Sequence, residues 1–183
     1  MSTLYRTALS ELQGVFDRLN DADVDQAIEM IAKAKKTVVF GGGRERLQIM
    51  GFAMRLYHMG LDAHVVGDMS CPPVGKGDFL VVSAGPGAFS TVMGLIDVAR
   101  VAGAKVACVT ATPNGSAAQA SDLVLEIPAQ TMADDQGTVQ SVLPMGSLFE
   151  GAQYLTFELL ILGLRDHIGV DPGAMRARHT NLE

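Results

Sequence analysis

Apolar residues at Leu4, Leu9, Leu12, Val15, Phe16 and Leu19 recur at helical spacing, and Val24, Ile28, Ile31 and Ala32 repeat the pattern. Two helices are therefore predicted ahead of any strand. The first strand is Thr37 to Phe40, which runs directly into Gly41-Gly-Gly-Arg-Glu45. A helix bearing Met50, Met54, Leu56 and Tyr57 follows, closed by Gly60, and then a short strand over Ala63 to Val66. Further strands are predicted at Phe79 to Val82, Lys105 to Val109 and Leu123 to Ile127. Between them stand a helix over about 89–102, stopped by Gly103, and a short helix after the turn TATPNGS. The strands read as continuous Val and Leu runs rather than alternating ones. Strands of that kind are buried on both faces, as in a parallel sheet between helix layers, so the fold class is α/β, doubly wound.

Residues 128–145 have neither period and read as a surface loop. Ser147 to about Ile168 is one long helix, with Ser147 at or near its start and Glu150 three residues on, the spacing of a capping box. Leu159 to Leu164 is apolar on nearly every face, while Glu150, Gln153 and Glu158 interrupt the span too often for a membrane helix. Such a helix is expected to be buried between this domain and a partner subunit. The 183 residues fit one domain, with N-terminal helices over 1–36, an α/β core over 37–127 and C-terminal helices over 146–183.

Composition narrows the functional classes. A net charge of −6, with no run among the 14 Lys and Arg, argues against nucleic acid and against an anionic membrane surface. The first residues lack the basic and unbroken apolar regions of a signal peptide, which leaves the cytoplasm as the expected location. Cys71 and Cys108 have no metal or CxxC spacing and read as reduced structural thiols. The ten methionines read as core filler.

Two Gly-rich loops carry the candidate chemistry: Gly41 to Glu45, and SAGPGAFS from Ser83 to Ser90. In a doubly wound sheet, loops at the carboxyl ends of strands bring backbone N–H groups and helix N-termini to bear on anions. Neither loop matches GxGxxG, and no P-loop motif occurs. Each alone reads equally well as a tight turn, and their joint occurrence after strands favours a site.

Around these loops the chain resembles the sugar isomerase (SIS) domain family and, within it, the 6-phospho-3-hexuloisomerases. The matching stretches are VFGGGR at 39–44, GFAMRLYHMGLDAHVVGD at 51–68, AGAKVACVTATPNGSAAQASDLVLEIP at 102–128, PMGSLFE at 144–150 and RARHTNLE at 176–183. The resemblance implies a five-stranded parallel sheet in flavodoxin-like order, flanked by helices, in a homotetramer that needs neither metal nor cofactor. It implies interconversion of phosphorylated keto-sugars, with Glu150 as the base and His179 contributed by a neighbouring subunit. His58 matches a position near the sugar. Read from the residues alone, Glu150 is a helix cap, His58 complements a helix C-terminus and His179 is solvated. His64 and His167 read as structural.

The loops also depart from the family pattern. Phosphate-binding members carry a Ser/Thr-rich loop after the third strand and a serine after the arginine of the first Gly-rich loop. Here Ala84, Pro86 and Phe89 stand where the hydroxyls fall, Ser90 and Thr91 remain, and Glu45 replaces the serine. Loss of two or three charge-assisted hydrogen bonds costs phosphate affinity about a hundredfold. Gly42, Gly43, Arg44, Arg46, His58, Ser83, Gly85, Gly87, Ser90 and Thr91 are the candidate substrate-binding residues. Three readings stay open: an isomerase of a phosphorylated ketose, the same chemistry on a sugar that is unphosphorylated, sulfonated or carboxylated, and a non-catalytic sugar-binding SIS module.

Overall fold

In the computed structural model, which describes residues 1–138 and 140–182, the apolar runs form five strands in one all-parallel sheet. They are β1 (Thr37–Gly41), β2 (Ala63–Val65), β3 (Phe79–Ser83), β4 (Lys105–Thr110) and β5 (Leu123–Glu126), in the order β2-β1-β3-β4-β5. This is the expected flavodoxin-like order, and each strand falls within one residue of its predicted ends. Val139, inside the 128–145 segment, and Glu183, the last residue of RARHTNLE, lie outside the described residues.

Alternation along the strands divides the core in two. Val39, Val81, Ala107, Val109 and Leu125 face one layer, built from α1 (Ser2–Phe16), α2 (Asp21–Lys33), α3 (Glu45–His58) and α6 (Ser147–Ile168). Val38, Leu80, Val82, Val106 and Cys108 face the other, built from α4 (Ser90–Val101) and α5 (Ser116–Gln119). A short α7 (Pro172–Ala177) lies against α3. Burial on both faces explains why the strands carry no polar alternation. The Cys108 thiol, fully buried, is pushed up to about 12 by desolvation, which makes it an inert core residue.

The sheet order reverses between β1 and β3, where Gly41 stands beside Ser83 in register. The loop after β1 leads into the N-terminus of α3, and the loop after β3 into that of α4. This is the switch point where ligands of open α/β sheets bind.

One expectation about α6 is corrected. Its N-cap is Gly146, in the left-handed conformation at φ 78°, and no side chain caps the helix. Ser147 lies inside the first turn, and its Oγ accepts from Arg44 Nη1 at 3.1 Å. The capping box does not form, because the chain arrives through two consecutive left-handed residues, Met145 (φ 55°) and Gly146, and Ser147 enters one position too late. The Glu150 side chain is thereby left for other partners.

Candidate functional site

A cavity of about 520 Å³ opens at the switch point. Gly42, Gly43, Arg44 and Glu45 come to it from the loop after β1, Pro86 and Phe89 from the loop after β3, and Phe149 and Glu150 from the first turn of α6. Thr131, Met132, Met145 and Gly146 complete the wall from the two ends of the 128–146 segment. Aromatic and thioether groups dominate it, so the three charged side chains set its chemistry.

Glu150 is buried at 8% exposure. Arg44 Nη2 lies 2.9 Å from Glu150 Oε2, an ion pair held off the line of a hydrogen bond, so that Oε2 has charge neutralisation but no donor among the described residues. Burial pushes the Glu150 carboxyl above its ordinary value, and Arg44 opposes the shift. A carboxylate raised by desolvation, on a cavity wall and with one oxygen that accepts no hydrogen bond among the described residues, is suited to take a proton from carbon.

Glu45 stands at the start of α3 and turns back across the switch point. Its carboxylate accepts a short hydrogen bond from Ser83 Oγ and a bond from the Gly85 N–H, 3.0 Å at Oε2 and 3.2 Å at Oε1. Ser83 is fully buried and itself accepts from Gln153 Nε2 of α6 at 2.6 Å. Burial raises the Glu45 carboxyl, the Ser83 and Gly85 bonds lower it, and the negative charge of Glu150 raises it further. The close fit demands glycine at two points. A Cβ on Gly85 would lie 2.8 Å from Glu45 Oε1, and one on Gly42 would lie 2.7 Å from the Phe89 ring.

The remaining candidates fall elsewhere. Arg46 turns away from the cavity, donating to the Val66 carbonyl at 3.0 Å and covering the Phe40 ring. Ser90 and Thr91 are exposed at the first turn of α4 and do not line the cavity, and Gly87 is buried at φ 108° against Thr112 and Gly115. His58 ends α3, is 5% exposed, and stacks on His179 with centroids 5.4 Å apart. The two rings border a second cavity of about 640 Å³ with Met54, Tyr57, Arg178 and Asn181. Glu45 and His58 occupy opposite ends of a 14-residue helix, roughly 20 Å apart at 1.5 Å per residue. Within one chain, then, Glu150 and His179 do not meet.

Sequence reasoning missed Thr131, Met132, Met145 and Phe149. The available signal was topological: the segment after β5 also leaves the carboxyl edge of the sheet, so its ends return to the crevice. Glu11 on α1 anchors that segment, accepting from Ser141 Oγ at 2.5 Å and from the Val142 N–H at 3.1 Å.

Among known families, the SIS domain model matches residues 30–152. The chain belongs to the SIS domain family. It is 32% identical to the 3-hexulose-6-phosphate isomerase of Bacillus subtilis over 96% of this chain and 95% of that one. It is 37% identical to the 3-hexulose-6-phosphate isomerase of Mycobacterium gastri over 84% of this chain and 76% of that one. In fold it matches a Methanococcus jannaschii protein whose structure infers a molecular function of 3-hexulose-6-phosphate isomerase, with a TM-score of 0.84, 24% identity and 98% of each chain covered. Among the described residues of this SIS protein, no helix is long and apolar enough to cross a membrane, and no group of three His, Cys, Asp or Glu could hold a metal.

Proposed function

We propose that this SIS protein is a sugar isomerase with the reaction of the 3-hexulose-6-phosphate isomerases, moving a proton between adjacent carbons of an open-chain ketose through an enediol. One observation carries the reading: the buried Glu150 carboxylate on the cavity wall, which among the described residues has no hydrogen-bond donor at Oε2 and is balanced by Arg44. The relatives named 3-hexulose-6-phosphate isomerase support the same reaction class, that of a sugar phosphate isomerase. A pure binding module has less need of a carboxylate in this state.

In the proposed step Glu150 takes the proton from the carbon next to the carbonyl. The C–H electron pair forms the C=C bond of the enediol, and the carbonyl oxygen gains a proton from an imidazolium. Reversal at the neighbouring carbon returns the proton from Glu150 while the second hydroxyl gives its proton back to the imidazole. Arg44, more than half exposed and reaching Glu150, holds the base ionised until substrate enters.

The imidazole is His179 of a second copy, with His58 beside it. The exposure of His179 and its separation from Glu150 within one chain support a contribution in trans. Leu47, Met50, Met54 and Tyr57 form an exposed stripe along α3 at spacings of three and four, and Leu155, Leu159 and Leu162 form another on α6. Faces of this kind support a homo-oligomer, which we take to be a tetramer of single SIS domains in the cytoplasm. The deciding experiment is proton NMR in D2O with fructose, 3-hexulose 6-phosphate and fructose 6-phosphate. Deuterium should wash in beside the carbonyl of at least one of these ketoses with the parent protein and not with Glu150→Gln, and equal exchange by both proteins would overturn the reading.

A further inference from the structure

At a β1/β3 switch point, the donors of the loop after β3 are the groups that usually meet a ligand's anionic end. In this protein the Ser83 hydroxyl and the N–H groups of Ala84, Gly85 and Gly87 are all already used. The Ala84 N–H goes to the Val109 carbonyl and the Gly87 N–H to the Ala84 carbonyl, while Pro86 has none. The Ser83 hydroxyl and the Gly85 N–H both go to Glu45. Ser83 cannot turn to a ligand without breaking its buried bonds to Glu45 and Gln153. Phe89 packs on Gly42 and closes the two loops on each other. A carboxylate of the chain itself thus occupies the cradle, and this explains how a loop of that shape can be so poor in hydroxyls.

The charges around the cavity agree. Two carboxylates, Glu45 and Glu150, face one guanidinium, Arg44, which is already paired with Glu150. A phosphate dianion entering beside Gly85 would meet the like charges of Glu45 and Glu150, and the Ser83 hydroxyl and Gly85 N–H that would otherwise receive it already donate to Glu45. A carboxylate is an acceptor with about four lone-pair positions, and a sugar hydroxyl is a group it recognises. Phe89, Phe149 and Met132 offer apolar surface for the carbon face of such a sugar.

We propose that Glu45 is a specificity-determining residue: seated on Ser83 and Gly85, it excludes a phosphate from this crevice and directs the isomerase to ketoses whose end there is an uncharged hydroxymethyl group. This inference rests on the isomerase reading above and departs from the named relatives only in the group at the end of the sugar.

The test measures kcat/KM by NMR, for the parent, Glu45→Ser and Glu45→Gln, on fructose and fructose 6-phosphate. Calorimetric binding of fructose 6-phosphate, without turnover, is read alongside. The parent should favour the unphosphorylated ketose, and Glu45→Ser should move the ratio toward the phosphate by about a hundredfold while gaining measurable binding of it. Glu45→Gln removes the charge with little change of shape. It should move both readouts in the same direction, which guards against a misfolded serine variant. A parent that prefers and binds the phosphorylated ketose, with affinity unchanged or weakened in both variants, would overturn the role of Glu45. The isomerase reading fails separately, through exchange that persists in Glu150→Gln or is absent from the parent with either sugar. The calorimetric arm decides the role of Glu45 in that case too.

Discussion

The Arg44–Glu150 pair ties the pH dependence of the proposed reaction to geometry. A base must be ionised to act, so kcat/KM should rise with pH through the Glu150 ionisation, which burial has moved above its ordinary value. Arg44 is the group opposing that shift, so Arg44→Met should displace the acid limb of the profile to higher pH. A limb that stays in place would separate Arg44 from the base. Glu45 makes a second prediction, on stability. Its folded-state carboxyl is raised mainly by burial, so the native protein binds this proton more tightly than the unfolded chain. The stabilisation linked to that proton is complete below the unfolded value and is lost as pH rises through the folded one. Melting of the parent relative to Glu45→Gln should therefore worsen as pH is raised from about 4, near the unfolded value, through the folded one, followed by circular dichroism. The change of the gap with pH is the readout, since it cancels differences in packing. A gap that is constant or runs the other way would refute the assignment. At this scale the sequence was only partly legible. Glu150 and Arg44 stand in motifs that could be read, whereas the direction of the Glu45 and Arg46 side chains could not. These adjacent residues point to opposite destinations, one to Gly85 and one to Val66, and only the tertiary packing of α3 on the sheet decides between them.

Helix α3 carries Arg44 and Glu45 at its N-terminal end, α6 carries Glu150 in its first turn, and their contact fixes the width of the cavity. The joint is Phe52 on Phe157, both buried and stacked with centroids 4.6 Å apart. Phe157→Ala should cost about 3–5 kcal/mol, read from denaturant midpoints at constant slope. A loss below about 1 kcal/mol would mean that the helices are held elsewhere. Periodicity made both helices and all five strands legible, because burial on two faces leaves an apolar run and burial on one leaves a helical stripe. The 128–146 segment was illegible for the converse reason. Its anchors on the helices are contacts distant in sequence, Glu11 to Ser141 and Arg18 to the Pro128 carbonyl, and its internal bonds, such as the Thr131 N–H to Asp134 Oδ1, follow neither the helix nor the strand period. The N-terminus of α6 misled because a capping-box spacing was present but the chain enters through Met145 and Gly146, whose positive φ values shift the cap.

At the scale of the whole molecule, the separation of Glu150 from His179 becomes a claim about assembly. The two lie at opposite ends of α3, while the exposed apolar stripes on α3 and α6 offer faces for further copies. If each site takes its base from one copy and its imidazole from another, two inactive variants should complement. Glu150→Gln supplies a sound His179, and His179→Ala supplies a sound Glu150. Each homo-oligomer contains only damaged sites, but a mixed one contains some sites where both intact residues meet. Co-expression at equal levels, with random assembly of a symmetric oligomer, should restore about a quarter of the parent activity. Mixing the purified variants should restore less, limited by the rate at which copies exchange. A site complete within one chain could also recover nothing through Glu150→Gln, so the distinguishing result is the co-expressed sample. Activity there requires Glu150 and His179 to come from different chains, since neither variant contains both. A co-expressed oligomer shown by mass to be mixed, yet inactive, would return His179 to the structural stack with His58 and leave the base without this acid.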